Sequence, residues 1–518
     1  MQKKPTLLLI CSLFILFVQA QHPLGPSQSV LLRGPYLQAA TPTSIVIRWR
    51  TDVLTRGVVG FSTRLGWVDK YVVDSVLVTE HKIKLTGLEP GTKYYYSIGA
   101  YHDSLQSGPG DYFVTLPPPG TEALYRIAAV GDCGNNSVNQ RAVRDALVSY
   151  IGDNYLNAWI LLGDNAYYTG RDAEFQSNFF NIYKDNLLPK YPLYPSPGNH
   201  DYYDGDSSEE KVQQTHQVAY YQNFTMPVDG EAGGVASNNP AFYSFDLGNI
   251  HFLSLDSYGI EQGQYRIYDT LGPQAEWVKK DLAANAHKGW VIAYWHHPPY
   301  TMGSHNSDHE DELVHIRENF IRILERYGVD LIICGHSHDY ERSKLIKGHY
   351  GPETSWDSVK YLVNRSSGYF DGTPNSCPYL KDSASGYTGT VYIVSGSAGQ
   401  LGGQQTSWPH DALPYADVTH GGAGMLEIQG DRLDWKWICT DGQIRDRFTI
   451  LKNTNQRHHL TVKKGEAVTL TAAFAGKWTK SNSESSASLE VRPTHTTEYT
   501  VKDPAGCVSE TFEVEVTK

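Results

Sequence analysis

The stretch Tyr125-Arg126-Ile127-Ala128-Ala129-Val130-Gly131-Asp132-Cys133-Gly134 decides the fold. A short apolar run, of strand rather than helix length, breaks off at Gly-Asp. The same arrangement returns as Trp159-Ile160-Leu161-Leu162-Gly163-Asp164-Asn165-Ala166-Tyr167, with a helical pattern over residues 138–150 between the two. Buried strand, helix, buried strand is the signature of an α/β sheet. An acidic residue just past the carboxyl end of each strand stands where open sheets place their ligands.

The pattern continues outward from there. Strands are expected at 251–255, 290–294 and 331–333, helices at 274–286 and 312–327, and closing strands at 390–395 and across 425–450. In the second helix Leu313, Ile316, Phe320, Leu324 and Tyr327 recur every three or four residues, which gives one apolar face. Before this region, residues 34–115 alternate apolar and polar, as in Ile45-Val46-Ile47-Arg48-Trp49-Arg50, with turn residues between the runs. That argues a small antiparallel sandwich. Leu116-Pro117-Pro118-Pro119-Gly120 reads as a stiff linker. Beyond residue 459 a Thr-, Ser- and Val-rich stretch alternates again and reads as an immunoglobulin-like module, too small for a pocket of its own. The expected fold class is therefore multidomain: an N-terminal β-sandwich over 30–116, a central α/β domain over 122–452 and a small C-terminal β-sandwich over 459–518.

With 518 residues, 40% hydrophobic and 12% aromatic, the chain has ample material for a packed core, and its composition is a poor fit to intrinsic disorder. A net charge of −12 leaves no basic footprint for nucleic acid, so no stable nucleic-acid partner is expected. Phosphate would have to meet a local positive charge, which metal ions could supply. Lys3 and Lys4, an apolar run over 7–18 and Val18-Gln19-Ala20 read as an export signal over residues 1–20. The run is too short to span a bilayer, and no later stretch is apolar enough, so a secreted, periplasmic or cell-surface location without a transmembrane segment is expected. Without Cys11 in the signal, five cysteines remain, too few for a disulfide framework, although one bridge is possible. Cys133 and Cys334 read as small buried thiols at strand ends.

Five motifs carry metal-ligand side chains in the central region: Gly131-Asp132-Cys133-Gly134, Gly163-Asp164-Asn165-Ala166-Tyr167, Gly198-Asn199-His200-Asp201, His296-His297-Pro298-Pro299 and Gly335-His336-Ser337-His338. Each alone is weak, since Gly-Asp is often only a turn. Together they form a mixed oxygen and nitrogen set that suits transition metals rather than calcium. His336 and His338, two apart in an extended segment, can face a common cluster. A carboxylate has two oxygens and can bridge two ions about 3.5–4 Å apart.

In this order the motifs resemble those of purple acid phosphatases among the calcineurin-like metallophosphoesterases, and the fibronectin type III-like region before them fits the same family. The resemblance spans about residues 34–450 and implies an αββα central domain with two metal ions. One, ferric iron in the family, would take Asp132, Asp164, Tyr167 and His338. The other, zinc, manganese or ferrous iron, would take Asp164, Asn199, His296 and His336. Tyr167, three residues after Asp164, would be the phenolate behind the family's colour, and Gly134 stands where many relatives outside it have a ligand histidine. His296 rather than His297 is the implied ligand, because it precedes Pro298 by two.

His200 resembles the family's phosphate-contacting histidine, and His305, nine residues after His296, stands where the family has its other pocket histidine, the candidate general acid. The expected function is an exported phosphatase hydrolysing small phosphomonoesters through a metal-activated water. A phosphodiesterase of the same superfamily and a non-catalytic surface-binding or adhesion protein are the alternatives. The C-terminal module is expected to contact the cell surface or sorting machinery. Residues 343–384, longer than the family's connection, read as an inert surface insertion or a rim over the pocket. His216, His309, His315 and His349 match no motif and are expected at the surface.

Overall fold

The computed structural model describes residues 29–100, 103–204, 215–373, 375–381, 388–480 and 485–517. The expected export signal lies outside them. Strands Leu31–Gln38, Ser44–Ser62, Lys70–Thr86, Lys93–Ala100 and Asp103–Val114 form the N-terminal β-rich region. They are joined in one continuous sheet, because the long strand Ser44–Ser62 pairs with Leu31–Gln38 along its first half and with Lys93–Ala100 along its second. Trp49, Val59, Ile83, Leu85 and Phe113 pack into one apolar cluster. This region is fastened to the centre by polar contacts as well as packing. Arg33 and Arg50 both reach Asp172, and the Tyr96 hydroxyl donates to the Pro189 carbonyl at 2.8 Å.

The centre is two seven-stranded sheets. In the first, Tyr125–Val130, Ala158–Leu162 and Leu193–Ser196 run parallel, and Gly422–Gln429, Arg432–Cys439 and Ile444–Lys452 continue it as an antiparallel meander. In the second, Ile250–Ser254, Trp290–Trp295, Leu331–Cys334 and Val391–Ser395 run parallel. Period-two alternation assigns the faces of the second sheet. Trp290, Ile292, Tyr294, Leu331 and Ile333 point into the core shared with the first sheet. Val291, Ala293, Trp295 and Ile332 turn the other way, against Val278 and Leu282 of helix Pro273–Ala284 and Phe320 and Leu324 of the helix that follows His315. Across the seam the Tyr194 and Phe245 rings stack at 3.8 Å, and the Tyr294 hydroxyl donates to the Tyr194 carbonyl at 3.1 Å. On the far side of the first sheet, helix Val138–Ile151 begins at Ser137, whose hydroxyl caps Gln140 N–H.

The helix expected over 312–327 is present over residues 311–326 but is not uniform: a π-helical turn, Ile316–Phe320, separates Asp311–His315 from Ile321–Arg326. The C-terminal β-rich region is a five-stranded sheet. Its first strand, Arg457–Lys463, is one that alternation alone did not mark, and it pairs in parallel with Ser509–Thr517.

Residues 343–384 are not an inert surface insertion. Strand Tyr379–Lys381 forms the outer strand of the first sheet beside Ile444–Lys452, and Cys377 is disulfide-bonded to Cys507 of the C-terminal region. His349, expected at the surface, is fully buried beside Tyr300, Trp356 and Tyr361, because this segment folds back over the central domain. His309 and His315 are exposed and His216 is half-buried. Cys133, Cys334 and Cys439 are buried free thiols. Among the described residues no helix is long and apolar enough to cross a membrane.

Candidate metal centre

All seven expected ligand residues lie just past the carboxyl ends of parallel strands. Asp132 follows Tyr125–Val130, Asp164 and Tyr167 follow Ala158–Leu162, and Asn199 follows Leu193–Ser196. From the other sheet, His296 follows Trp290–Trp295, and His336 and His338 follow Leu331–Cys334. The two groups meet at the seam. Asp132, Asp164 and His336 hold φ values of 57°, 50° and 70°, left-handed backbone that L-residues seldom adopt and that accumulates at functional sites.

The donor atoms fall into two neighbouring sets. In one, the Tyr167 hydroxyl lies 3.0 Å from Asp132 Oδ1 and 3.0 Å from His338 Nε2, and His338 Nε2 is 3.6 Å from Asp132 Oδ1. In the other, His296 Nε2 lies 3.0 Å from Asn199 Oδ1, 3.2 Å from His336 Nδ1 and 3.3 Å from Asp164 Oδ1. Asp132, Asp164 and His296 offer atoms that all lie within 4.8 Å of one another, and so join the sets.

The chemistry of this donor set fits bound cations. Asp132 and Asp164 are buried, and among the described residues histidines alone form ion pairs with them, where a buried carboxylate demands positive charge. Burial opposes a charged ring at His296, yet Asp164 and Asp132 raise it to about 9. Burial likewise opposes ionisation of Asp164, but His296 and His200 hold it well below the usual carboxylate range. His336, buried and beside His305, is pushed down to about 3, the unprotonated form a ligand needs. Burial and the two aspartates raise the Tyr167 phenol well above its ordinary value.

His297 also offers a ring nitrogen within 4.8 Å of donor atoms on His296 and His336. Its Nδ1 lies 2.8 Å from the Ser257 hydroxyl, and its ring lies 4.2 Å from that of His336. His200 N–H donates to Asp164 Oδ1 at 2.9 Å, while its ring Nδ1 meets the Tyr168 carbonyl at 2.7 Å. A carbonyl only accepts, so the proton resides on Nδ1, and Nε2 faces Asp164 at 3.9 Å. His305 stacks on His336 with ring centres 3.7 Å apart, and its Nδ1 meets Glu310 Oε2 at 2.8 Å.

Two residues here received no role from the sequence. Glu310 also accepts from Asn306 N–H, and burial notwithstanding, His305 and His336 hold its carboxyl well below the ordinary range. It sits in no Gly-Asp or His-containing motif, so only the folded loop reveals it. Asp201 was visible as the last residue of Gly198-Asn199-His200-Asp201. Fully buried, it accepts from Gly198 N–H, Asn165 N–H and the Asn165 amide, which ties two ligand loops together. Burial and nearby Asp164 raise its carboxyl to about 7.

Residues 125–340 match the calcineurin-like phosphoesterase family, so the chain carries a calcineurin-like phosphoesterase domain. Its relatives include purple acid phosphatases and acid phosphatases. Purple acid phosphatase 15 of Arabidopsis thaliana is 30% identical over 292 residues, covering 51% of this chain and 50% of its own length. Acid phosphatase type 7 of Mus musculus is 26% identical over 391 residues, covering 69% and 75%. The chain spans 50% and 58% of Arabidopsis purple acid phosphatases 15 and 23. Purple acid phosphatase PPD1 from yellow lupin (Lupinus luteus) seeds shares the fold, with a TM-score of 0.60 at 18% identity, covering 81% of this chain and 74% of that one.

Proposed function

We propose that the chain is a metal-dependent phosphomonoester hydrolase of the acid phosphatase type. The convergence of seven oxygen and nitrogen donors from the strand ends of two sheets carries this reading. Asp132, Asp164, Tyr167 and His338 would hold one cation, ferric iron by the phenolate's preference, and Asp164, Asn199, His296 and His336 a second, zinc, manganese or ferrous iron. Two such ions neutralise charge on phosphoryl oxygens and lower the pKa of water toward neutrality.

The chain's own side chains supply the rest. His200 Nε2, with Nδ1 anchored on Tyr168, is turned to meet a phosphoryl oxygen. His305 stacks on His336 with its Nδ1 fixed by Glu310. As the bond from phosphorus to the alcohol oxygen breaks, that oxygen takes a proton from His305, and water provides the new oxygen on phosphorus. The apolar N-terminal run supports export.

Metal analysis with a visible spectrum tests the centre. Two metals per chain and phosphate release from a monoester faster than from a diester are expected. Asp164→Ala should lose metal and activity together, and retention of both ions would overturn the shared-ligand assignment. A faster diester rate would make the chain a phosphodiesterase.

A further inference from the structure

Loop 301–310 delivers His305 and Glu310 to the site, and its first residues are gripped at a single point. Glu341 Oε1 accepts from the Thr301 hydroxyl at 2.6 Å, Gly303 N–H at 3.0 Å and Met302 N–H at 3.1 Å. Glu341 is fully buried in strand Tyr340–Arg342, which follows directly on the ligand residues His336 and His338. The loop is also pressed sterically against the residue just before this strand. A Cβ on Gly303 would overlap Asp339 Oδ2, so only glycine lets the backbone come this near. One residue on, the Ser304 hydroxyl accepts His338 N–H at 2.9 Å. The next residue is His305, stacked on His336.

None of the three groups held by Glu341 touches the metal-ligand set itself; all three belong to the segment that sets where His305 stands. We propose that Glu341 is a positioning residue for the general acid: it locks residues 301–303 to the strand that follows His336 and His338, and thereby fixes His305 over the site. This rests on His305 being the acid. Displacements near 1 Å at a reacting group can cost about 10²-fold in rate, so the grip has a kinetic consequence.

The test compares Glu341→Ala, Glu341→Gln, His305→Ala and the double variant Glu341→Ala/His305→Ala. Each is assayed on an alkyl phosphate, whose leaving group needs a proton, and on a nitrophenyl phosphate, whose leaving group does not, with metal content measured throughout. Glu341→Ala is expected to lower kcat on the alkyl ester about 10²-fold. KM, metal content and kcat on the nitrophenyl ester should stay within a few-fold of the parent. Glu341→Gln keeps an accepting oxygen and should restore most of the alkyl rate, and the double variant should be no slower than His305→Ala alone. If Glu341→Ala does not fold, Thr301→Val removes the shortest of the three bonds and should show the same split at about fivefold. Equal losses on both esters, or loss of metal, would overturn the proposal in favour of a merely structural role. If His305→Ala shows the leaving-group split and the Glu341 and Thr301 variants do not, the Glu341 proposal alone fails. If His305→Ala shows no split, the acid assignment fails and takes this proposal with it.

Discussion

Gly163 meets two demands at once. Its φ is +88°, and an added Cβ would come within 2.5 Å of His296 Nδ1, which is buried and bonded to the Leu162 carbonyl. The ring has nowhere to retreat. Gly163→Ala should therefore displace His296, lowering phosphatase activity by 10²-fold or more while costing about 1–3 kcal/mol of stability. Steady-state kinetics alongside a thermal melt would separate the two effects. A second expectation concerns buried histidines away from the centre. Burial pushes His349 down to about 4 and His410 down to about 3, in each case with Arg317 adding to the shift. In the unfolded chain both rings take up protons below about 6.5. Between that pH and about 4 the unfolded state binds more protons, so stability should fall as the pH drops through this window and be fully present above it. Denaturant midpoints measured from pH 7.5 to 4.5 should show the slope, and His349→Phe should flatten it. Most donor residues were legible before folding because they follow short apolar runs, whereas Glu310 and His349 were not. Their roles come from residues brought to them by loop packing, and local pattern does not encode that.

Elements show the same division. The strands Tyr125–Val130, Ala158–Leu162 and Trp290–Trp295 could be read from their apolar runs, because strands buried on both faces carry few polar residues to blur them. Strand Arg457–Lys463 could not, since four of its seven residues are exposed and only Leu460 and Val462 are apolar, and its place comes from pairing with Ser509–Thr517. Nor could Tyr379–Lys381, three residues long, whose place is set by the strand beside it and by the nearby disulfide. Cys377 and Cys507 are 130 residues apart, and closing so long a loop is worth up to about 5 kcal/mol in the chain-entropy picture. Every ligand residue lies outside the two segments this bridge joins. Cys507→Ser is thus expected to lower the melting transition of the C-terminal region and expose it to limited proteolysis, while phosphate release stays near the parent value. A parallel fall in activity would mean that the C-terminal region braces the centre.

The whole molecule sets the terms on which the centre exists. Four of its seven donors follow strands of one sheet and three follow strands of the other, and the shared core of Tyr194, Phe245, Ile292 and Tyr294 holds the two layers in register. Strand Tyr125–Val130, which leads to Asp132, has Ala158–Leu162 on one side and Gly422–Gln429 on the other, with Ala129 opposite Gly424. Leu331–Cys334, which leads to His336, likewise leans on Val391–Ser395. A chain emerging from the ribosome thus presents every metal donor long before Val391–Ser395 and Gly422–Gln429 have been made. Until those strands arrive, two central strands stand as open edges, the kind of surface that recruits other chains. Residues 125–340, though they span the whole family match and all seven donors, should therefore aggregate when made alone. Soluble, metal-loaded protein from that fragment would contradict this. If the expectation holds, the order of synthesis itself delays assembly of the donor set until the last strand of the two sheets, Ile444–Lys452, has been translated.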